Sequence, residues 1–243
     1  MPSRPREPDV RPDARPREPV VPADLEPAGP GCLDDDAVLD EVAIGAGTDA
    51  GSDAGSDAGS DAGRTIRGLT VKRSTITGVR LTGVTFEQAE MADVLVEDCD
   101  LSGTTFADAS LRRVTFRRCR MSGVVAPDLV AADLRIVDCK ADGAWLRAAR
   151  LERCELVDCD LTGSDWYAAR VRDSWIVRCD LADSELSAVE MDGVALHGST
   201  LTGANGVGSL RNVVIGPDQV LDLALPVLAT LGIRVESPDA DER

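Results

Sequence analysis

Residues 159–183 read CDLTG SDWYA ARVRD SWIVR CDLAD, five blocks of five whose third residue is large and apolar: Leu161, Trp166, Val171, Ile176 and Leu181. The first residue of each block is small: Cys159, Ser164, Ala169, Ser174 and Cys179. The spacing continues in both directions without an insertion. Every fifth position from Ile66 to Leu201 gives 28 residues, all apolar. Period five fits neither a helix at 3.6 nor a flat strand at 2. It fits a chain that turns a corner every five residues. The large residue and its small partner then point inward, and the other three positions face water. Four sides close a coil in 20 residues, and coils stack at about 4.8 Å. The expected fold is a four-sided β-solenoid of about seven coils over residues 64–215.

A 20-residue coil has independent support. Cys99, Cys119, Cys139, Cys159 and Cys179 are spaced by 20 and should stack in one column. Asp93, Arg113, Asp133, Arg153 and Asp173 alternate in sign with the same spacing, and Asp98, Arg118, Asp138, Asp158 and Arg178 nearly do. Opposite charges one coil apart are cross-strand neighbours that help hold the register. One coil departs from the pattern. The centres Ala126 and Ala131 are small while their inward partners Val124 and Leu129 are larger. Either the two inward positions exchange volume, or the chain slips locally and Leu129 becomes a centre; both keep the core volume. Ala141 with Cys139 is undersized on both counts.

Small-polar-Leu-polar-polar blocks such as Cys159–Gly163 and Cys179–Asp183 resemble the pentapeptide-repeat family. The resemblance covers about 140 of the 243 residues. It implies an all-β fold, a right-handed quadrilateral β-helix. A branch of the family forms rod-shaped dimers that imitate DNA and bind gyrase. The resemblance therefore implies a homodimer through a C-terminal helix, and DNA gyrase or another topoisomerase as a possible partner.

The net charge of −17 is unevenly distributed. Residues 1–63 hold 15 acids and 5 bases, residues 218–243 hold 6 and 2, and residues 64–217 hold 22 and 19. The acidity lies mostly in the tails, and no basic surface exists for direct nucleic-acid or anionic-membrane binding. The self-neutral coils weaken the DNA-mimic reading, because a mimic needs carboxylates arrayed like phosphates. The start, MPSRPREP, has no apolar signal region, and no stretch is long enough to span a bilayer, so a cytoplasmic protein is expected.

Residues 1–47 read as a disordered Pro-rich, acidic tail in which RPREP occurs twice, at Arg4 and at Arg15. A short amphipathic helix is expected over 32–47, with Leu33, Val38, Leu39 and Val42 as its apolar side. Residues 48–63, TDAG and three copies of SDAG, form a flexible linker spanning on the order of 20 Å. At the other end, Val213, Val214 and Ile215 should add a last strand. A helix is expected from Pro217 to Leu231, kinked near Pro226 and stopped by Gly232. Its Val220, Leu221, Leu223, Leu225, Val227, Leu228 and Leu231 spread over more than one face. The helix either only caps the last coil or also meets a second copy. Residues 236–243 read as a disordered tail.

The chain carries no nucleophile elbow, phosphate loop or dinucleotide fingerprint, so an enzyme is not expected. No cofactor is expected. Five thiols in a line against a core cannot form a tetrahedral metal cage, and His197 is the only histidine. Surface aromatics are more informative. Trp145 and Tyr167 occupy outward positions of adjacent coils on one side, with Glu87, Asp108, Asp128, Asp165 and Glu185 against one base, Arg147. Exposed rings among charges suit a protein-binding patch; the alternative is that the rings lie flat over neighbouring side chains. The sequence thus points to a non-enzymatic protein-interaction module on a solenoid.

Overall fold

The computed structural model describes residues 15–45 and 63–235. The repeat folds into the expected right-handed, parallel β-solenoid, but with about 9 turns where about seven coils were expected. Strands Thr70–Thr77, Glu90–Glu97, Ser110–Arg117, Val130–Val137 and Arg170–Val177 each pass through a corner and cover two adjacent sides. They pair in parallel with a constant offset of 20, so that Val71, Met91, Leu111, Ala131, Leu151, Val171 and Met191 stack in one column. The third side holds the short strands Thr65–Arg67, Thr85–Glu87 and Thr105–Ala107. It continues as single bridges through Val125, Trp145, Asp165 and Glu185, and the fourth side is built of such bridges alone. Of the 28 repeat centres only Ile136 and Leu146 are incompletely buried.

The corner chemistry explains the polar positions. The second residue after each centre has positive φ, for example Asp98 at 54°, Arg118 at 51° and Gly103 at 65°. A left-handed residue costs an L-amino acid about 1–2 kcal/mol, least for Gly, Asn and Asp. The frequent Gly and Asp of the repeat therefore serve backbone geometry as much as solubility.

The undersized coil keeps its register: Ala131 stacks between Leu111 and Leu151, and Ile136 between Phe116 and Leu156. Leu129 and Val124 are buried beside the small centres, so the inward positions exchange volume and the chain does not slip. The exchange is incomplete. An apolar cavity of about 50 Å³ remains there, lined among others by Ala126, Leu129, Ala141, Ala144 and Trp166. Cavities cost about 24 cal/mol per Å³, so Ala141→Val should stabilise the rod by about 1 kcal/mol in urea denaturation.

The charge columns pair as anticipated. Arg113 chelates Asp93, Arg153 Asp133, Arg118 Asp98 and Arg178 Asp158, each across one coil. The Arg113 hydrogen bond holds the Asp93 carboxyl below the ordinary range, and the Arg118 bond does the same for Asp98. A depressed native pKa gives stability that is present above the unfolded value of about 3.9 and lost as pH falls through the native one. Thermal midpoints should therefore stay flat from pH 7 to about 4.5 and fall only below about 4.

The N-terminal region corrects the sequence reading. Among the described residues 33–45 of the expected helix, no helix forms. Instead β1 (Glu26–Ala28), β2 (Val38–Asp40) and β3 (Val42–Gly45) build an additional coil on the rod's first end. Leu39 stacks on Val71 and Ile44 on Ile76, while Ala28 pairs with Ile44. Leu33 is buried in the core, and its carbonyl accepts a hydrogen bond from Arg64. The physical reason is burial: an amphipathic helix here would leave Ile66, Val71 and Ile76 open at the rod end, whereas a coil continues their sheet and covers them. The disordered-tail expectation therefore fails for residues 26–45. Residues 15–20 lie along the rod, and Pro16 is buried. Residues 1–14, residues 46–62, which include all of the expected linker except Gly63, and the expected tail over 236–243 lie outside the described residues.

At the other end Val213–Val214 pairs with Val194 and Ala195 as the expected last strand. Pro217–Gln219 is a 3-10 turn that leads into α1 (Val220–Thr230), which runs through Pro226 and ends before Gly232. Gln219 is the cap: its amide nitrogen donates to the carbonyls of Leu196 and Ser199, at 2.6 and 2.7 Å. The helix itself buries only Leu223.

Candidate functional site: an aromatic patch on one side of the rod

The column rule places position 145 above position 165, and the chain between them brings position 167 beside 147 one coil away. The structure does so, with Trp145 and Asp165 as parallel bridge partners. The Arg147 guanidinium lies 5.4 Å from the Trp145 ring centre and 5.6 Å from that of Tyr167, a cation held by both rings. Its Nε also donates to Asp165 Oδ2 at 2.6 Å. Asp165 Oδ1 accepts the Tyr167 backbone N–H at 3.0 Å. The four side chains thus fix one another. Trp145 remains 53% exposed and Tyr167 48%.

The acids expected around the patch divide. Asp165 is buried and serves as the strut beneath Arg147. Glu185, one coil further, accepts the Ser187 backbone N–H. Asp128 is exposed at a left-handed corner, its backbone N–H bonded to the Arg147 carbonyl. Both rings address the neighbouring Arg147 side chain and leave about half their surface to solvent. The patch offers shape, hydrogen-bond donors and one oriented cation. It presents no nucleophile paired with a base.

The cysteine column is packed core. All five thiols are buried, and they hydrogen-bond to backbone carbonyls, as Cys99 does to Glu97 and Cys179 to Leu156. Contact with the adjacent thiol and burial push Cys99, Cys139 and Cys179 above the ordinary thiol value, the same thiol contacts push Cys119 and Cys159 below it, and burial pushes Cys154 up to about 12. Burial shields the whole column from solvent. Among the described residues no group of three or more His, Cys, Asp or Glu converges to hold a metal. Among them, too, no helix is long and apolar enough to cross a membrane.

With coil, ladder and patch defined, part of the chain matches a known repeat family. The family model "Pentapeptide repeats (8 copies)" matches residues 89–125, and the structure carries the same repeat well beyond both limits. Similar solved structures include QnrB1, "a plasmid-mediated fluoroquinolone resistance protein", as a trypsin-treated point variant and at full length. The first is 21% identical over 74% of this chain and 94% of that one, with a TM-score of 0.34. The second is 19% identical over 70% and 97%, with a TM-score of 0.32. HetL, a pentapeptide-repeat protein involved in heterocyst differentiation regulation from the cyanobacterium Nostoc sp. strain PCC 7120, is 13% identical over 69% and 90%, at 0.31. No curated protein matches the sequence.

Proposed function

We propose that the chain is a non-enzymatic protein-interaction module whose rod binds a protein partner through Trp145, Tyr167 and Arg147. The observation that carries this reading is the Arg147 cation clamped between two half-exposed rings and braced by Asp165. Rigid aromatic and arginine anchors bind well because little side-chain entropy remains to be lost. The seven free cysteines fit a reducing, cytoplasmic setting. The exposed apolar residues of α1, Val220, Leu221, Leu225, Val227 and Leu231, fit a homodimer formed through that helix, with Leu228 half-buried at its side.

A DNA mimic directed at gyrase or another topoisomerase is the weaker reading. Asp93, Asp98, Asp133 and Asp158 are each already matched by an arginine, so these four carboxylates are not free to meet a basic saddle. In a pull-down, Trp145→Ser with Tyr167→Ser should abolish capture of the partner and leave the thermal midpoint within about 1 °C, because surface changes of this kind cost under about 0.5 kcal/mol. Retained capture would reject the patch. Inhibition of purified gyrase supercoiling at micromolar protein would instead favour the mimic.

A further inference from the structure

One side of the rod is occupied. Residues 15–20, RPREPV, run across successive coils beside the column Leu95, Thr115, Arg135, Glu155 and Trp175. The Val20 backbone N–H donates to Asp93 Oδ1 at 3.1 Å, and that of Arg17 to Asp133 Oδ1 at 3.2 Å. Arg15 donates to Glu155 at 2.8 Å, and its guanidinium lies 6.0 Å from the Trp175 ring centre. Glu18 pairs with Arg135. Each of these rod residues occupies an outward position that the repeat alone would leave in water. The contrast with the open corner is large. The side chains of Asp133 and Glu155 are 5% and 7% exposed, against 50% for Asp98 and 41% for Asp158.

The fit follows from two repeat lengths. Asp93 and Asp133 are two coils apart, about 9.6 Å at the strand spacing. Val20 and Arg17 are three residues apart, about 9.3 Å in a polyproline conformation, which Pro16 and Pro19 favour. A polyproline segment leaves its backbone N–H groups unpaired, and these two carboxylates accept them. The charges of Arg15 and Glu18 meet opposite charges, and the proline between them is buried.

We infer that the side bearing Asp93, Asp133, Arg135, Glu155 and Trp175 is a binding groove for an extended Arg-Pro-Arg-Glu-Pro segment, filled in cis by residues Arg15–Val20. The same five residues recur at Arg4–Pro8, so the chain carries two copies of the ligand. The contacts are made by rod side chains and involve no backbone ladder, so the segment can be exchanged for a partner's segment of the same chemistry. A tethered copy competes at an effective concentration in the millimolar range and masks the groove.

The test uses trypsin, which cuts the Arg17–Glu18 bond, and a labelled peptide of residues 14–22. In the full chain that bond should be cut at least roughly ten-fold more slowly than in the free peptide, as for a segment docked most of the time. Arg4→Glu and Pro5→Gly together with Arg15→Glu and Pro16→Gly disable both copies of the segment and leave the rod's own residues untouched. This variant should raise cleavage to the free-peptide rate. The same variant should bind the labelled peptide, by fluorescence anisotropy, at least roughly ten-fold more tightly than the wild-type chain does. Equal cleavage in chain and peptide would overturn the docked arm. Protection of the bond together with no peptide binding by the variant, or equal binding by both chains, would overturn the groove.

Discussion

Trp166→Ala should lower the rod's stability by about 3–5 kcal/mol in urea denaturation, at the upper end for a buried tryptophan. Trp166 is fully buried and is the largest such side chain in the core. Its indole N–H donates to Ser164 Oγ at 2.7 Å, and that hydroxyl lies 3.1 Å from Ser184 Oγ in the next coil. Removing the ring opens a space continuous with the existing cavity of about 50 Å³, which Trp166 already lines. The surrounding coils are cross-linked by their sheets and cannot collapse into it, so most of the void should persist. In a quasi-one-dimensional fold, the loss is felt first by the neighbouring coils. Trp145 and Trp175 remain as fluorescent reporters. A loss below about 1.5 kcal/mol would show that the core there is plastic.

The second large effect concerns assembly. Leu221 is 83% exposed and Leu225 62%. Ile233 and Val235 extend the same apolar run beyond α1, and both are exposed. These exposed apolar side chains fit the homodimer proposed above. Leu221→Glu with Leu225→Glu should convert a dimer to a monomer in sedimentation equilibrium, and leave the rod's unfolding curve unchanged at protein concentrations low enough that the wild type is also monomeric, because neither residue is buried in the core. A wild-type chain that sediments as a monomer at tens of micromolar would reject the dimer.

Period five made the coil legible because the repeat fixes backbone, core and corner together, and agreement across those levels leaves few alternatives. The patch was legible for the same reason: a 20-residue coil places position 145 over 165 whatever the side chains. The pairing of Arg147 with both rings was not, since it depends on rotamers. The first coil was missed although its signal is present. Ala37 and Leu39, then Val42 and Ile44, repeat the small-then-large pairing at a spacing of five. The acidic linker separates these two blocks from the rest, and counting from Ile66 passed over them. The docked arm left less trace. Proline-rich composition predicts a segment without a core of its own, and says nothing of a groove supplied by the rest of the chain.

The alternating corner ladder also restricts how the rod can change length. Opposite charges meet because aspartate and arginine exchange places from one coil to the next, from Asp93 through Arg113, Asp133 and Arg153 to Asp173. Loss or duplication of a single 20-residue coil within that run would keep every core contact in register and yet set Arg on Arg or Asp on Asp. Two coils together restore the sequence of signs. Within this column the unit that preserves the charge pairing is therefore 40 residues, twice the structural repeat and about 9.6 Å of rod, whereas the neighbouring column already sets Asp138 over Asp158.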